Sequence, residues 1–225
     1  MLGNRPYVLL SAAMSADGYI DDASPRRLVL SGPEDLDRVD EVRAGCDAIM
    51  VGAGTIRADN PRLLLRSAAR RAGRLRRGQP ESPVKVTITG SGRLDPDALF
   101  FAPDGTAKLV YAAADIAAPL RDRLGNRAVV ISLEMGTGLP AVLADLDGRG
   151  VGRLMIEGGA SVLGQALSEG VADELQLAVA PVFVADPAAP RLLAAAGPLP
   201  GRMRLVGIER AGDVAVLRYL AGGAA

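Results

Sequence analysis

Glu157-Gly158-Gly159-Ala160 follows the apolar run Leu154-Met155-Ile156 and precedes Val162, Leu163, Ala166 and Leu167 at helical spacing. A strand that turns into a helix through two glycines suits one kind of chemistry. Without Cβ atoms the backbone approaches a ligand closely. The first N–H groups of the helix have no partner within it, and their dipole favours an anion. Phosphate is the natural guest. Glu157 stands at the carboxyl end of the strand, where open α/β sheets present side chains to ligands. A plainer reading stands beside it: Gly158 and Gly159 make a tight turn, and Glu157 is a solvated charge. The spacing from Gly158 to Gly164 is not the dinucleotide fingerprint.

A second junction of the same kind lies upstream. Asp47-Ala48-Ile49-Met50-Val51 reads as a strand, breaks at Gly52-Ala53-Gly54-Thr55, and turns helical through Ile56 and Asp59 until Asn60-Pro61 stops it. Gly52-x-Gly54-x-x-Arg57 lacks the third fingerprint glycine, and no acid follows about twenty residues on. Two such bends are expected to open onto one cleft and face the two ends of a long ligand, or a ligand and a cofactor.

The elements that must position these bends form an α/β pattern. Residues 7–14 read as a buried first strand, left through the turn 15–18, with Asp17 a turn former. Ser31 or Gly32 caps a helix with Pro33 in its first turn; Leu36, Val39 and Val42 form its expected buried stripe, and Gly45 ends it. Strands are expected at 84–89, 108–111, 128–131 and 174–184, with Pro181 marking an edge or bulge in the last. A helix is expected at 139–146. Residues 205–210 and 214–219 flank Ala211-Gly212-Asp213, a hairpin signal. Alternating strands and helices imply parallel pairing, and the closing hairpin implies antiparallel strands. Residues 67–82 hold Arg70, Arg71, Arg74, Arg76 and Arg77 and read as a solvated loop insertion in a single domain, 1–225. The sharper alternative is phosphate contact. Without interleaved aromatics, these arginines do not point to nucleic acid.

Composition removes whole classes. With no histidine and the single Cys46, a disulfide framework, a histidine base and most zinc sites are excluded, and no metal is expected. Formal net charge is zero, so the balance asks for neither nucleic acid nor an anionic membrane. The run 7–14 is too short for a membrane span and lacks a cleavage pattern. The expectation is a cytoplasmic protein.

Taken in order, these motifs resemble the reductase domain of riboflavin biosynthesis. The resemblance rests on Ala13-Met14-Ser15-Ala16-Asp17-Gly18, on Val42-Arg43-Ala44 with Asp47-Ala48-Ile49-Met50-Val51-Gly52, on Gly54-Thr55-Ile56-x-x-Asp59-Asn60-Pro61-Arg62-Leu63, on Glu157-Gly158-Gly159-Ala160, and on Val171-Ala172-Asp173-Glu174-Leu175 with Ala180-Pro181. It implies a dihydrofolate-reductase-like three-layer fold with a mostly parallel mixed sheet and an antiparallel C-terminal hairpin. It also implies a homodimer that uses NADPH to reduce a ribosylaminopyrimidine 5′-phosphate to its ribitylamino form. By position, Ala13, Thr55, Asp59 and the turn Gly158, Gly159, Ala160, Ser161, Val162 and Leu163 would hold NADPH, with Val29 and Gly90 at its border. Arg27, Arg43, Leu63, Arg66 and Glu157 would hold the substrate, the arginines at its phosphate. Glu157 is the expected catalytic group, orienting the pyrimidine and supporting an iminium charge.

Two departures lie beside the implied pocket. Tyr19 stands where such reductases carry Lys or Arg, and Arg27-Leu28-Val29 stands where they carry Ser-x-Trp. They motivate a second reading, a dihydrofolate or other pterin-like reductase of the same fold. A third, of a different class, is a phosphate-ligand binding module without turnover. The zinc deaminase that accompanies the bacterial reductase needs His and several Cys, so the reductase activity alone is expected.

Overall fold

A computed structural model of the chain describes residues 5–24, 28–134, 136–193 and 201–222. In chain order the elements are β1 (Tyr7–Ser15), α1 (Pro33–Ala44), β2 (Ala48–Gly52), α2 (Ala53–Asp59), α3 (Ala68–Arg76), β3 (Val84–Thr89), β4 (Lys108–Ala113), α4 (Ala114–Leu124), β5 (Val129–Leu133), α5 (Gly138–Gly148), β6 (Arg153–Gly158), α6 (Ala160–Ser168), β7 (Glu174–Ala180), β8 (Arg204–Ala211) and β9 (Val214–Leu220). Pairing is mixed. β1 runs parallel to β7, and β2, β3, β4 and β5 pair in parallel, whereas β9 is antiparallel to both β7 and β8. The expected parallel strands and closing antiparallel hairpin are present. The chain divides into two compact units, residues 1–6 with 42–155, and residues 7–41 with 156–225. Strand β6 and helix α1 each cross the division.

In the first unit the strand order is β5-β4-β3-β2. Its core joins Ile49 and Val51 of β2, Ile56 of α2, Val110 of β4 and Ala117, Leu120 and Leu124 of α4. Phe100 and Phe101 pack edge to face there, 4.9 Å between centroids, so two of the three phenylalanines fill one core. Lys85 is fully buried in β3 and pairs with Asp104 at 2.5 Å. Burial lowers the lysine's pKa and the Asp104 contact opposes that shift. Tyr111 donates to Asp145 at 2.6 Å, and burial, then that carboxylate, raises its pKa. Asp47 accepts from the N–H groups of Gly152 and Arg153 and so anchors the entry to β6.

In the second unit the order is β1-β7-β9-β8. Three expectations need correction. Strand β7 ends at Ala180, and it lies between β1 and β9 rather than at an edge. Pro181 sits just beyond it and removes no ladder bond. In α1 the fully buried residues are Asp35 and Asp40; Leu36, Val39 and Val42 are only half-buried. Asp35 is neutralised where it lies, accepting from Ser31 and pairing with Arg38 at 2.7 Å. Arg38 reaches on to the Gln176 side-chain oxygen of β7 at 2.6 Å. A polar seam, not an apolar stripe, thus ties α1 to β7. The third correction concerns 67–82: this segment contains helix α3, with the Ser67 hydroxyl accepting from the N–H of Arg70 as an N-cap.

The seam continues at Glu174, which is buried and accepts from Tyr7 at 2.8 Å, Gln176 at 2.9 Å and Arg218 at 2.6 Å. Burial alone would raise its pKa; the bonds from Arg218, Gln176 and Tyr7 outweigh that and hold it at about 2 rather than 4.5. A carboxyl depressed on folding adds stability above its unfolded pKa, and that stability is lost as pH falls towards the folded value. Between pH about 5 and about 2, urea unfolding should show the wild type losing about 2 kcal/mol more than Glu174→Gln, after allowance for the half-exposed Arg218. Acid limbs of equal slope would remove the buried carboxylate from this account.

Candidate active site

Each strand-to-helix bend is built by its own unit. In the second, β6 is buried through Leu154, Met155 and Ile156, and Glu157 emerges half-buried at its end. Gly158 then takes φ +146°, a backbone state that disfavours any side chain. Gly159 is the N-cap of α6, and no side chain caps that helix. Gly159 and Ala160 are half-buried and Ser161 exposed, so this part of the turn is open to solvent. Val162 and Leu163 send their side chains into the protein, and their N–H groups both donate to the Gly159 carbonyl at 3.1 Å. An uncapped, glycine-lined helix start fits a phosphate of a dinucleotide.

The same unit holds Ala13, half-buried near the end of β1, and Val29, which is 76% exposed. Arg27 lies outside the described residues. Asp17 anchors the loop beyond β7: its carboxylate accepts from the N–H groups of Val184 and Ala185 and from the Ser15 hydroxyl. The Ser15 bond lowers its pKa, burial opposes, and the two amides add to the lowering. Ala185 has φ +53° there. A depression of about 410 Å³ beside this loop is lined by Asp22, Ser24, Leu28, Val182, Phe183 and Asp186, among others, with Phe183 76% exposed. Tyr19, the first departure, is buried under Arg191, whose guanidinium lies 4.2 Å from the ring and donates to its hydroxyl at 2.7 Å. A guanidinium therefore stands over Tyr19.

In the first unit, Gly52 is the N-cap of α2, and Thr55 and Asp59 are half-buried on that short helix. Asn60, at φ +44°, ends it, and its side-chain oxygen accepts from the N–H of Leu99. Leu63 has φ +51° and is 4% exposed, with its side chain part of the core. Arg66 is exposed three residues on. Arg43, half-buried in the last turn of α1, donates to the Leu64 carbonyl at 3.5 Å. Arg43 and the 63–66 segment are thus brought together. Gly90 is exposed just past β3, with open space where a side chain would be.

Sequence reasoning missed the arginines that face carbonyls. Arg71 donates to Leu65 and Arg66, and Arg74 to Ala44, Cys46 and Pro80. The available signal was the Ser67 cap followed by Arg71, Arg74 and Leu75 at helical spacing. Among the described residues, no helix is long and apolar enough to cross a membrane, and no group of three or more His, Cys, Asp or Glu could hold a metal.

A mostly parallel sheet that feeds glycine turns into helix starts and closes with antiparallel strands is an α/β fold of dihydrofolate-reductase type. The fold superposes on a Thermotoga maritima diaminohydroxyphosphoribosylaminopyrimidine deaminase/5-amino-6-(5-phosphoribosylamino)uracil reductase with a TM-score of 0.79 at 20% identity, over 96% of this chain and 56% of that one. This chain therefore spans little more than half the length of that two-activity protein. Within the class, the chain belongs to the RibD C-terminal domain family, whose model matches residues 6–217. It is 34% identical over 211 residues to the 2,5-diamino-6-ribosylamino-4(3H)-pyrimidinone 5′-phosphate reductase of Archaeoglobus fulgidus, covering 93% of this chain and 95% of that protein. It is 38% identical over 182 residues to the enzyme of the same name from Methanothermobacter thermautotrophicus, 80% of each chain. It is a reductase of the riboflavin-biosynthesis type, a class served by nicotinamide cofactors.

The left-handed state of Ala185 sets a local test. Calorimetry should find Ala185→Gly stabilised by about 0.5–1 kcal/mol and Ala185→Val destabilised by about 1–2 kcal/mol. Equal tolerance of glycine and valine would contradict a left-handed residue in the Asp17-anchored loop.

Proposed function

We propose that the chain reduces a ribosylaminopyrimidine 5′-phosphate to its ribitylamino form with NADPH, as a cytoplasmic homodimer. The observation that carries this reading is the 34% identity to the Archaeoglobus reductase over 95% of that protein's length, which includes both glycine bends. Bound NADPH supplies a hydride from C4 of the nicotinamide, and the protein supplies orientation and charge.

The ring-opened ribosylamine presents its sugar C1 as an imine. Hydride addition at C1 leaves the electron pair of the C=N bond on nitrogen, which takes one proton, and NADP⁺ is the oxidised product. The chain contains no histidine, so carboxylates or water handle that proton. Asp17 is occupied as an anchor for Val184 and Ala185. Glu157, half-buried where β6 ends, is assigned to orient the pyrimidine and to support positive charge on the iminium. Ala13, Thr55, Asp59 and the 158–163 turn are assigned to the cofactor, with Val29 and Gly90 at its border. Arg43 and Arg66 are assigned to the substrate phosphate, and the Leu63 backbone and Arg27 to the remainder of the substrate.

The assay is loss of absorbance at 340 nm with NADPH and the aminopyrimidine phosphate. Glu157→Gln should lower kcat by about 10²-fold or more while NADPH binds with unchanged affinity. Unchanged kcat/KM would remove Glu157 from the mechanism. Turnover of dihydrofolate alone would replace the proposed substrate with a pterin, and tight phosphate binding without any turnover would make the chain a binding module.

A further inference from the structure

Two arginines of α3, Arg71 and Arg74, turn their guanidiniums onto backbone carbonyls. Arg74 is 1% exposed, and its guanidinium meets three carbonyls: Pro80 at 2.8 Å, Ala44 at 3.0 Å and Cys46 at 2.7 Å. Arg77 adds a second donor to Ala44 at 3.3 Å. Ala44 is the last residue of α1, where backbone carbonyls lack helical partners and favour a cation. One turn before Arg74, Arg71 donates to the carbonyls of Leu65 and Arg66, both at 2.8 Å. The N–H of Leu65 is held from the other side by the Ser82 hydroxyl at 3.1 Å. Five carbonyl contacts from Arg71 and Arg74 thus fall on two short segments and on Pro80. One segment carries Arg43 and the other carries Arg66, and Arg43 itself donates to Leu64.

We propose that α3 is a clip whose Arg71 and Arg74 are positioning residues, holding the end of α1 and the 63–66 segment so that Arg43 and Arg66 present their guanidiniums to one phosphate. This inference rests on the reading of Arg43 and Arg66 as the phosphate-binding pair. The 63–66 segment needs such a hold, because Leu63 sits in the left-handed region and its neighbours belong to no helix or strand. Two long guanidiniums gain bidentate geometry at a phosphate only if their backbones are fixed beforehand. The clip supplies that fixation from carbonyl contacts and leaves α3's own charges off the ligand.

Arg74→Met strips donors from three carbonyls and is expected to compromise folding. Arg71, whose side chain is 34% exposed, is the variant to use. Calorimetry with ribose 5-phosphate as the probe should show Arg71→Ala binding about tenfold more weakly than wild type, with ribose and NADPH affinities unchanged. KM for the aminopyrimidine phosphate should rise by a similar factor, with kcat preserved. Arg66→Ala/Arg71→Ala should bind ribose 5-phosphate no more weakly than Arg66→Ala, since the clip acts through Arg66. Arg76→Ala, on an exposed residue of the same helix, should leave binding unchanged. Wild-type affinity in Arg71→Ala, an additive loss in the double variant, or an equal loss in Arg76→Ala would each overturn the clip. Turnover with any of those results retains the reaction and discards the clip. The expected ribose 5-phosphate pattern without turnover discards the reaction and retains the clip.

Discussion

Gly158 imposes the constraint on which the second unit's reading depends. Strand β6 is buried through Ile156 and ends at Gly158, and two residues later the chain begins α6, whose Val162, Leu163 and Ala166 are also buried. Gly158 makes this join at φ +146°, where a residue with a Cβ would be strained. The turn therefore fixes three things together. Glu157 is left at the strand end, α6 starts without a side-chain cap, and the solvent-accessible part of the turn narrows to Gly159, Ala160 and Ser161. Gly52 does the same between β2 and α2, at an extended φ of −68°, so there the junction is set by the helix start and not by a left-handed residue.

Satisfying buried polar groups is the second organising demand. A chain with 3% aromatic residues packs its helices with charge to a degree unusual for cores of this kind. Asp35, Asp40, Arg74, Lys85 and Glu174 are all nearly inaccessible to solvent. Arg74, Lys85 and Glu174 each meet opposite charge or several hydrogen-bond partners, as burial of charge requires. These pairs carry direction, which apolar contacts do not. The Arg38–Asp35–Gln176 seam fixes how α1 is rotated on β7, and the Arg74 contacts fix where α1 ends.

Much of this was legible in the residues. Both strand–glycine–helix junctions, the start of α1 at Pro33 and the C-terminal hairpin follow from turn chemistry and periodicity. What failed did so for definite reasons. Pattern reading assumes that the buried face of a helix is apolar, and in α1 the fully buried positions are Asp35 and Asp40, with Asp35 held by Ser31 and Arg38 on neighbouring turns. Helix α4 carries Pro119 inside it, a residue that disfavours a helix interior, although Ala117, Leu120 and Leu124 keep the helical spacing. The sequence of α3 reads as a solvated loop because the carbonyls that Arg71 and Arg74 bind lie on other segments. At the site, residue types announced Glu157 and the glycines. Nothing local announced that Leu63 is left-handed and buried, or that Tyr19 lies beneath Arg191.

The central claim is that these carboxylates, arginines and glycine turns serve direct hydride delivery to a sugar carbon. Mass spectrometry of the product formed with NADPH deuterated at the transferable C4 position, in ordinary water, tests it most directly. The account predicts one deuterium, located at C1 of the ribityl chain. A reduced product without deuterium at C1, or with C1 hydrogen drawn from solvent, would contradict it.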